Sequence, residues 1–275
     1  MKSRIITGII GIVLLIIILI LPPIALFIAL SAACALAMFE LLSTTHATLD
    51  RGMLIVSISY SALMPFFIYF ESLLPASIIT LLYLIIMICL QIYRHNLYSI
   101  EQTSFVLLMS LIFPISFSSV AYLRVFNNRD GLFYVLLAII IPWMSDIGAY
   151  FVGTLFGKHK LCPTISPKKT IEGLIGGIIV SVISAVIVGL IYEYFFLKDI
   201  ATVVMWQVVL LALVCAPLSV IGDLFASMIK RQYHIKDFGN IMPGHGGIMD
   251  RFDSFLLVVP FIYLIVHYLP LVQIN

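Results

Sequence analysis

Charge is what this sequence has least of: 10% of its 275 residues are Asp, Glu, Lys or Arg and 63% are hydrophobic, against roughly 25% and 45–50% in a soluble domain. Its 15 Lys+Arg and 13 Asp+Glu cannot clothe a soluble core, and the mean hydropathy of +1.19 says the same. A water-soluble globular protein is excluded, and the chain must be read as one dissolved in lipid. An excess of one sign is missing too. The net charge is +2, with no basic arm to track a phosphate backbone, so nucleic acid is not an expected partner. Cysteine is sparse: Cys34, Cys89 and Cys215 fall in apolar runs and Cys162 stands alone in a polar loop. That leaves neither a disulfide framework nor a zinc spacing. No internal repeat is visible. An ion-coupled transporter, the distant alternative for a membrane chain with buried acids, therefore lacks its two related halves.

Long apolar runs are abundant. A spanning helix takes about 20 mostly apolar residues, and candidates lie near 5–21, 24–42, 53–70, 73–93, 104–122, 132–154, 171–195, 202–222 and 252–270. The expected fold is all-α, a polytopic integral membrane protein with about nine transmembrane helices. The run from Ile5, behind Lys2 and Arg4, is too long for a signal-peptide core and counts as the first span. Pro22-Pro23, the polar stretch from Thr44 to Arg51, and Asn127 to Gly131 are among the breaks. Nine spans put only Arg124, Arg129 and Lys198 on one side and the other twelve Lys and Arg on the opposite side. Cytoplasmic loops carry the positive excess. The N-terminus is thus expected in the cytoplasm, with polar loops near 155–170 and 228–251 on the cytoplasmic face of an inner or plasma membrane.

Ionisable groups are uneven along the chain. In residues 1–130 nearly all are expected between spans, so this part reads as a transmembrane scaffold; residues 131–275 read as the catalytic region. Asp146 lies inside the sixth span, where an unpaired acid costs about 2.5–3.5 kcal/mol on insertion-based scales and marks a candidate site. Asp223 ends the eighth, and at 3.6 residues per turn Ser227, Lys230 and Arg231 fall within about 80° of it on one helix face. Asp250 and Asp253 open the last span at an i, i+3 spacing that puts both carboxylates on one face of a helix start. His245-Gly246-Gly247 precedes them, with glycine N–H groups open to an anion. In the 155–170 loop, Ser166 and Pro167 read as the N-cap and first position of a helix. Lys168 and Lys169 would then sit in the first turn, where the dipole disfavours cations unless an anion binds.

Carboxylates that gather a divalent cation, beside lysines, arginines and open N–H groups, are the apparatus of phosphoryl or nucleotidyl transfer. Hard oxygen ligands favour magnesium over zinc. Placed at the cytoplasmic face, such a site lets a water-soluble polyphosphate meet a phosphorylated lipid.

The stretch Ser227-Met228-Ile229-Lys230-Arg231, then Lys236-Asp237-Phe238-Gly239, then Pro243-Gly244-His245-Gly246-Gly247-Ile248-Met249-Asp250-Arg251-Phe252-Asp253 closely resembles the signature of the phosphatidate cytidylyltransferases, the CDP-diacylglycerol synthases. Ser145-Asp146 with Ala149-Tyr150, and Ser166-Pro167-Lys168-Lys169-Thr170 with Glu172-Gly173, resemble that family's upstream motifs. Met242 departs from the pattern, which has Leu, Ile or Phe there. The resemblance is strong over residues 140–255 and rests on hydropathy alone in the N-terminal half.

It implies a homodimeric membrane enzyme that joins phosphatidic acid to CTP with Mg²⁺, with a second metal or a monovalent cation left open. Asp223 and Asp250 would be the metal-centre carboxylates, with Asp146 and Asp253 as further members. Lys168, Lys169, Lys230, Arg231, Lys236, His245 and Arg251 would meet the phosphates, beside Ser227, Gly246 and Gly247. The alternatives within enzymes are a CTP-dependent lipid kinase and a cytidylyltransferase for another phospholipid acceptor.

Overall fold

A computed structural model describes the chain apart from residues 1, 46–50, 70–72, 98, 127–129, 199, 243–245 and 275. The chain is mostly helical and divides into two compact units: Met1–Tyr122 with Gln232–Phe252, and Leu123–Arg231 with Asp253–Asn275.

The first unit holds α1 (Lys2–Ile20), α2 (Pro23–Thr44), α3 (Arg51–Tyr69), α4 (Leu73–Tyr93) and most of α5 (Ile100–Val125), together with the segment from Gln232 through the short α9 (Met249–Phe252). The proline pair separates α1 from α2 as expected, Pro22 preceding α2 and Pro23 opening it. Helices α2, α3 and α4 pack in sequence order. Tyr60 and Tyr83 stack with centroids 4.2 Å apart, and their hydroxyls reach Thr80 at 3.0 Å and Ser57 at 3.2 Å. Polar groups inside apolar helices thus satisfy one another.

The second unit holds α6 (Gly131–Phe156), a ribbon of β1 (Lys160–Cys162) and β2 (Ser166–Thr170), α7 (Ile171–Tyr192) and β3 (Ala201–Val203). It continues with α8 (Met205–Gln232), α10 (Phe255–Tyr268) and β4 (Val272–Ile274). The strands form two antiparallel two-stranded ribbons, β1–β2 and β3–β4, small additions to a helical fold. Helices α6 and α7 make the closest pairing, and small residues are the reason. A Cβ on Gly148, Gly176 or Gly177 would lie under 3.0 Å from an atom of the facing helix. Ser181 Oγ donates to the Ile141 carbonyl at 2.7 Å across the same seam.

Among the described residues, six helices are long and apolar enough to cross a membrane; the apolar helices Ile6–Ile20, Arg51–Phe67 and Phe255–Tyr268 are shorter. On α7, Ile175, Ile179, Ile183 and Ile187 form a stripe about half exposed along its length. An apolar face of that kind suits lipid and not water.

Three local expectations are corrected. Residues 166–170 form a strand, and α7 starts at Ile171 with Thr170 as its cap, its hydroxyl accepting the Gly173 N–H at 3.1 Å. Lys168 and Lys169 therefore never enter a first helical turn, and the inference of an anion from an unfavourable dipole lapses. Asp223 does not end its helix but lies within α8, which runs from Met205 to Gln232 with Ser227, Lys230 and Arg231 on it as expected. Asp250 and Asp253 do not share a helix start: Asp250 lies on α9, and Asp253 in the turn before α10.

Candidate active site

Asp223 is the centre of the second unit's polar cluster. Its Oδ2 lies 2.6 Å from Lys169 Nζ, and Ser227 Oγ, one turn along α8, donates to its Oδ1 at 3.4 Å. The strand explains why two adjacent lysines behave differently. The ribbon's register shifts between Ser166 and Thr170; there Lys168 stays exposed while Lys169 turns in to Asp223 and to the Val220 carbonyl, 3.5 Å away. Arg231 Nε donates to the Ile165 carbonyl at 3.3 Å, tying the end of α8 to the same loop. Glu172 closes the loop's other end, accepting the Lys158 and His159 N–H groups and contacting His159 Nδ1 at 2.7 Å.

Asp253 joins this cluster because α8 carries a glycine where the turn crosses it. A Cβ on Gly222 would lie under 3.0 Å from the Asp253 carbonyl oxygen. The Asp253 carboxyl is buried. Burial, and after it the Asp223 carboxylate, push its pKa up to about 7, with Lys230 pulling it down and Asp146 raising it. Asp146 itself is half-buried on α6, next to Ser145, whose hydroxyl reaches the Ala216 carbonyl of α8 at 3.4 Å. The second unit thus brings Asp146, Lys169, Asp223, Ser227, Lys230 and Asp253 into one electrostatic neighbourhood.

The remaining sequence-derived residues belong to the first unit or lie outside the described residues. Lys236 and Arg251 are exposed. His245 falls among the residues not described. Asp250 serves its own loop: Oδ2 accepts the Phe238 N–H at 2.9 Å and the Gly247 N–H at 3.0 Å. The Gly247 N–H is therefore engaged and not open to an anion. Gly246 adopts φ +86°, a left-handed conformation that suits glycine.

A buried acid within a helix escaped sequence reasoning. Glu40 sits within α2, only 3% exposed, and its Oε2 accepts the Met249 N–H at 3.1 Å. The scaffold region was expected to keep nearly all of its charge between spans. The available signal was the same in kind as for Asp146, an acid inside an apolar helix.

The fold and the cluster define a multi-pass helical membrane protein whose acids and lysines gather around one helix, α8. The profile of the cytidylyltransferase family matches residues 2–269, and the chain belongs to that family. It is similar to the phosphatidate cytidylyltransferase of Bacillus subtilis, 34% identical over 273 residues that cover 96% of each chain. It is likewise similar to that of Staphylococcus saprophyticus, 33% identical over 236 residues covering 85% of this chain and 84% of the relative. The phosphatidate cytidylyltransferase of Staphylococcus haemolyticus is 37% identical over 194 residues, 70% of this chain and 67% of the relative.

Proposed function

We propose that the protein transfers the cytidylyl group of CTP to phosphatidic acid, giving CDP-diacylglycerol for phospholipid synthesis and releasing pyrophosphate. The observation that carries this reading is the Asp223-centred cluster in a chain matched by the cytidylyltransferase family over residues 2–269. A phosphate oxygen of the lipid attacks the α-phosphorus of CTP, the bond to the β-phosphate oxygen breaks, and that oxygen leaves with the pyrophosphate. The substrate is the nucleophile, so the protein contributes positioning and charge neutralisation. Lys169 and Lys230 sit beside the acids and neutralise phosphate oxygens, with Ser227 donating from the same face of α8. Lys168, Arg231, Lys236, His245, Gly246 and Arg251 are assigned to substrate binding on the sequence motif, while Gly247, its N–H held by Asp250, shapes the loop.

The donor chemistry fits Mg²⁺. Among the described residues no group of three His, Cys, Asp or Glu side chains is drawn together as a ready metal site. Burial chiefly raises the Asp253 pKa, and the Asp223 and Asp146 carboxylates add a like-charge repulsion that a hard divalent cation relieves. Asp223, Asp146 and Asp253 would hold it, and Asp250 enters the proposal through the sequence motif alone. When bound, the ion would neutralise phosphate oxygens and polarise the α-phosphorus. For Asp223 to serve as a ligand, its pairing with Lys169 must loosen, freeing the ammonium for a phosphate.

The membrane topology proposed is nine spans with the N-terminus and the site on the cytoplasmic side, and the assembly a homodimer. Purified protein given phosphatidic acid, α-labelled CTP and Mg²⁺ is expected to move label into lipid and release pyrophosphate, both stopping on chelation. CDP release without labelled lipid would replace this reading with a lipid kinase, and label entering only another phospholipid would replace the acceptor.

A further inference from the structure

Nothing in the cytidylyl transfer described above uses Glu40, yet its carboxylate is wrapped by the loop that bears the most distinctive motif of the sequence. Its Oε2 accepts the Met249 N–H at 3.1 Å. A Cβ added to either Gly239 or Gly247 would stand under 3.0 Å from its carboxyl atoms, so both positions are small where Glu40 enters. Four residues on, and therefore on the same face of α2, Thr44 Oγ1 donates to the Phe238 carbonyl at 2.6 Å. The Phe238 N–H and the Gly247 N–H both donate to Asp250 Oδ2. The loop's two limbs, 236–239 and 246–250, are thus closed on each other by Asp250 and clasped to α2 by Glu40 and Thr44. The backbone of Ile248 and Met249 and the space the two glycines leave thus hold the Glu40 carboxyl.

We propose that Glu40 is a positioning residue, a buried plug on α2 that fixes the limbs 236–239 and 246–250 through the Met249 N–H and through its fit against Gly239 and Gly247. It acts through Lys236 and Asp250, which these limbs carry, and through Arg251, which follows them; in that respect the inference rests on the proposed function. What the loop requires of residue 40 is length and an acceptor oxygen, not negative charge.

Three variants separate these requirements. Glu40→Gln keeps both length and acceptor, and kcat for cytidylyl transfer is expected to stay within about threefold of wild type. Glu40→Asp keeps the charge but withdraws the oxygen by one methylene, and Glu40→Ala removes it; in both, kcat should fall at least about tenfold, since small displacements of binding groups cost that much. Gly239→Ala, pressing on the same carboxyl from the other side, should lose activity too. Its loss should not multiply with that of Glu40→Ala, because the double variant removes the clash.

Hydrogen exchange of the 236–239 and 246–250 amides in the full-length protein reads the clasp without any activity. Exchange should accelerate in the Asp and Ala variants and not in Gln. Faster exchange in an inactive wild-type background would uphold the clasp and refute the transferase reading. Gln losing as much as Asp, or Ala leaving both exchange and kcat unchanged in an active enzyme, would overturn the positioning role.

Discussion

Removing the Lys169 ammonium leaves the Asp223 carboxylate without its cation. At 2.6 Å and an effective dielectric near 20, the gross attraction of the pair is about 6 kcal/mol. Desolvation returns most of it, because the two side chains are only 22% and 27% exposed. Exposed pairs are worth about 0–1 kcal/mol, and breaking buried ones costs about 3–5 kcal/mol. Lys169→Met should therefore cost about 2 kcal/mol, which lowers the melting temperature by about 4–8 °C for a chain of this size. Asp223→Asn should cost a similar amount by stranding the lysine. The double variant should melt no lower than the worse single, a coupling of about 2 kcal/mol between the two positions. The assay is thermal denaturation in detergent with a chelator present. With Mg²⁺ added, the gap between wild type and Lys169→Met should narrow as the cation takes over the carboxylate. Losses from the two single variants that simply add would refute the pairing and, with it, the idea that Lys169 and a cation compete for Asp223.

Other outcomes follow from the same geometry. Asp253 has a folded pKa of about 7 against an ordinary 3.8, so the folded state holds its proton more tightly and stability falls as pH rises from about 4 to 7. Asp253→Asn should melt above wild type at pH 8 in chelator and converge with it near pH 4; equal melting at pH 8 would contradict the buried, crowded carboxyl. Gly176→Ala drives a Cβ into Val152 and should cost about 1–3 kcal/mol, with Val152→Ala restoring part of the melting temperature; independent effects would deny the close α6–α7 seam. Thr170→Ala should lose about 0.5–2 kcal/mol as a helix cap while Ser166→Ala loses almost none, and the reverse order would restore the helix start at Ser166.

The apolar runs made the helical membrane fold legible, because a spanning helix needs little beyond length and hydropathy, and the break at Pro22-Pro23 came with them. The Asp223–Ser227 pairing was legible for a similar reason: i and i+4 meet on any helix. Residues 166–170 were misread because Ser-Pro is a plausible helix start and nothing local announces a partner strand at Lys160–Cys162. The irregular ribbon that turns Lys169, and not Lys168, to Asp223 was hidden with it. Asp250 and Asp253 looked like one pair because their spacing suits a helix, but the turn at Asp253 breaks it, and Asp250 faces the N–H groups of Phe238 and Gly247. Glu40 was readable in principle as an acid inside an apolar span. What it touches was not, since its partner Met249 lies 209 residues away in the chain.

The central claim is that Asp223 anchors metal-dependent cytidylyl transfer. The most direct test is to compare wild type with Asp223→Asn, each purified and checked for folding, for Mg²⁺-dependent transfer of α-label from CTP into phosphatidic acid. The account predicts labelled CDP-diacylglycerol from wild type and a loss of at least about 100-fold in the variant, the scale on which removing one transition-state charge contact acts. A folded Asp223→Asn protein that turns over near the wild-type rate would contradict it.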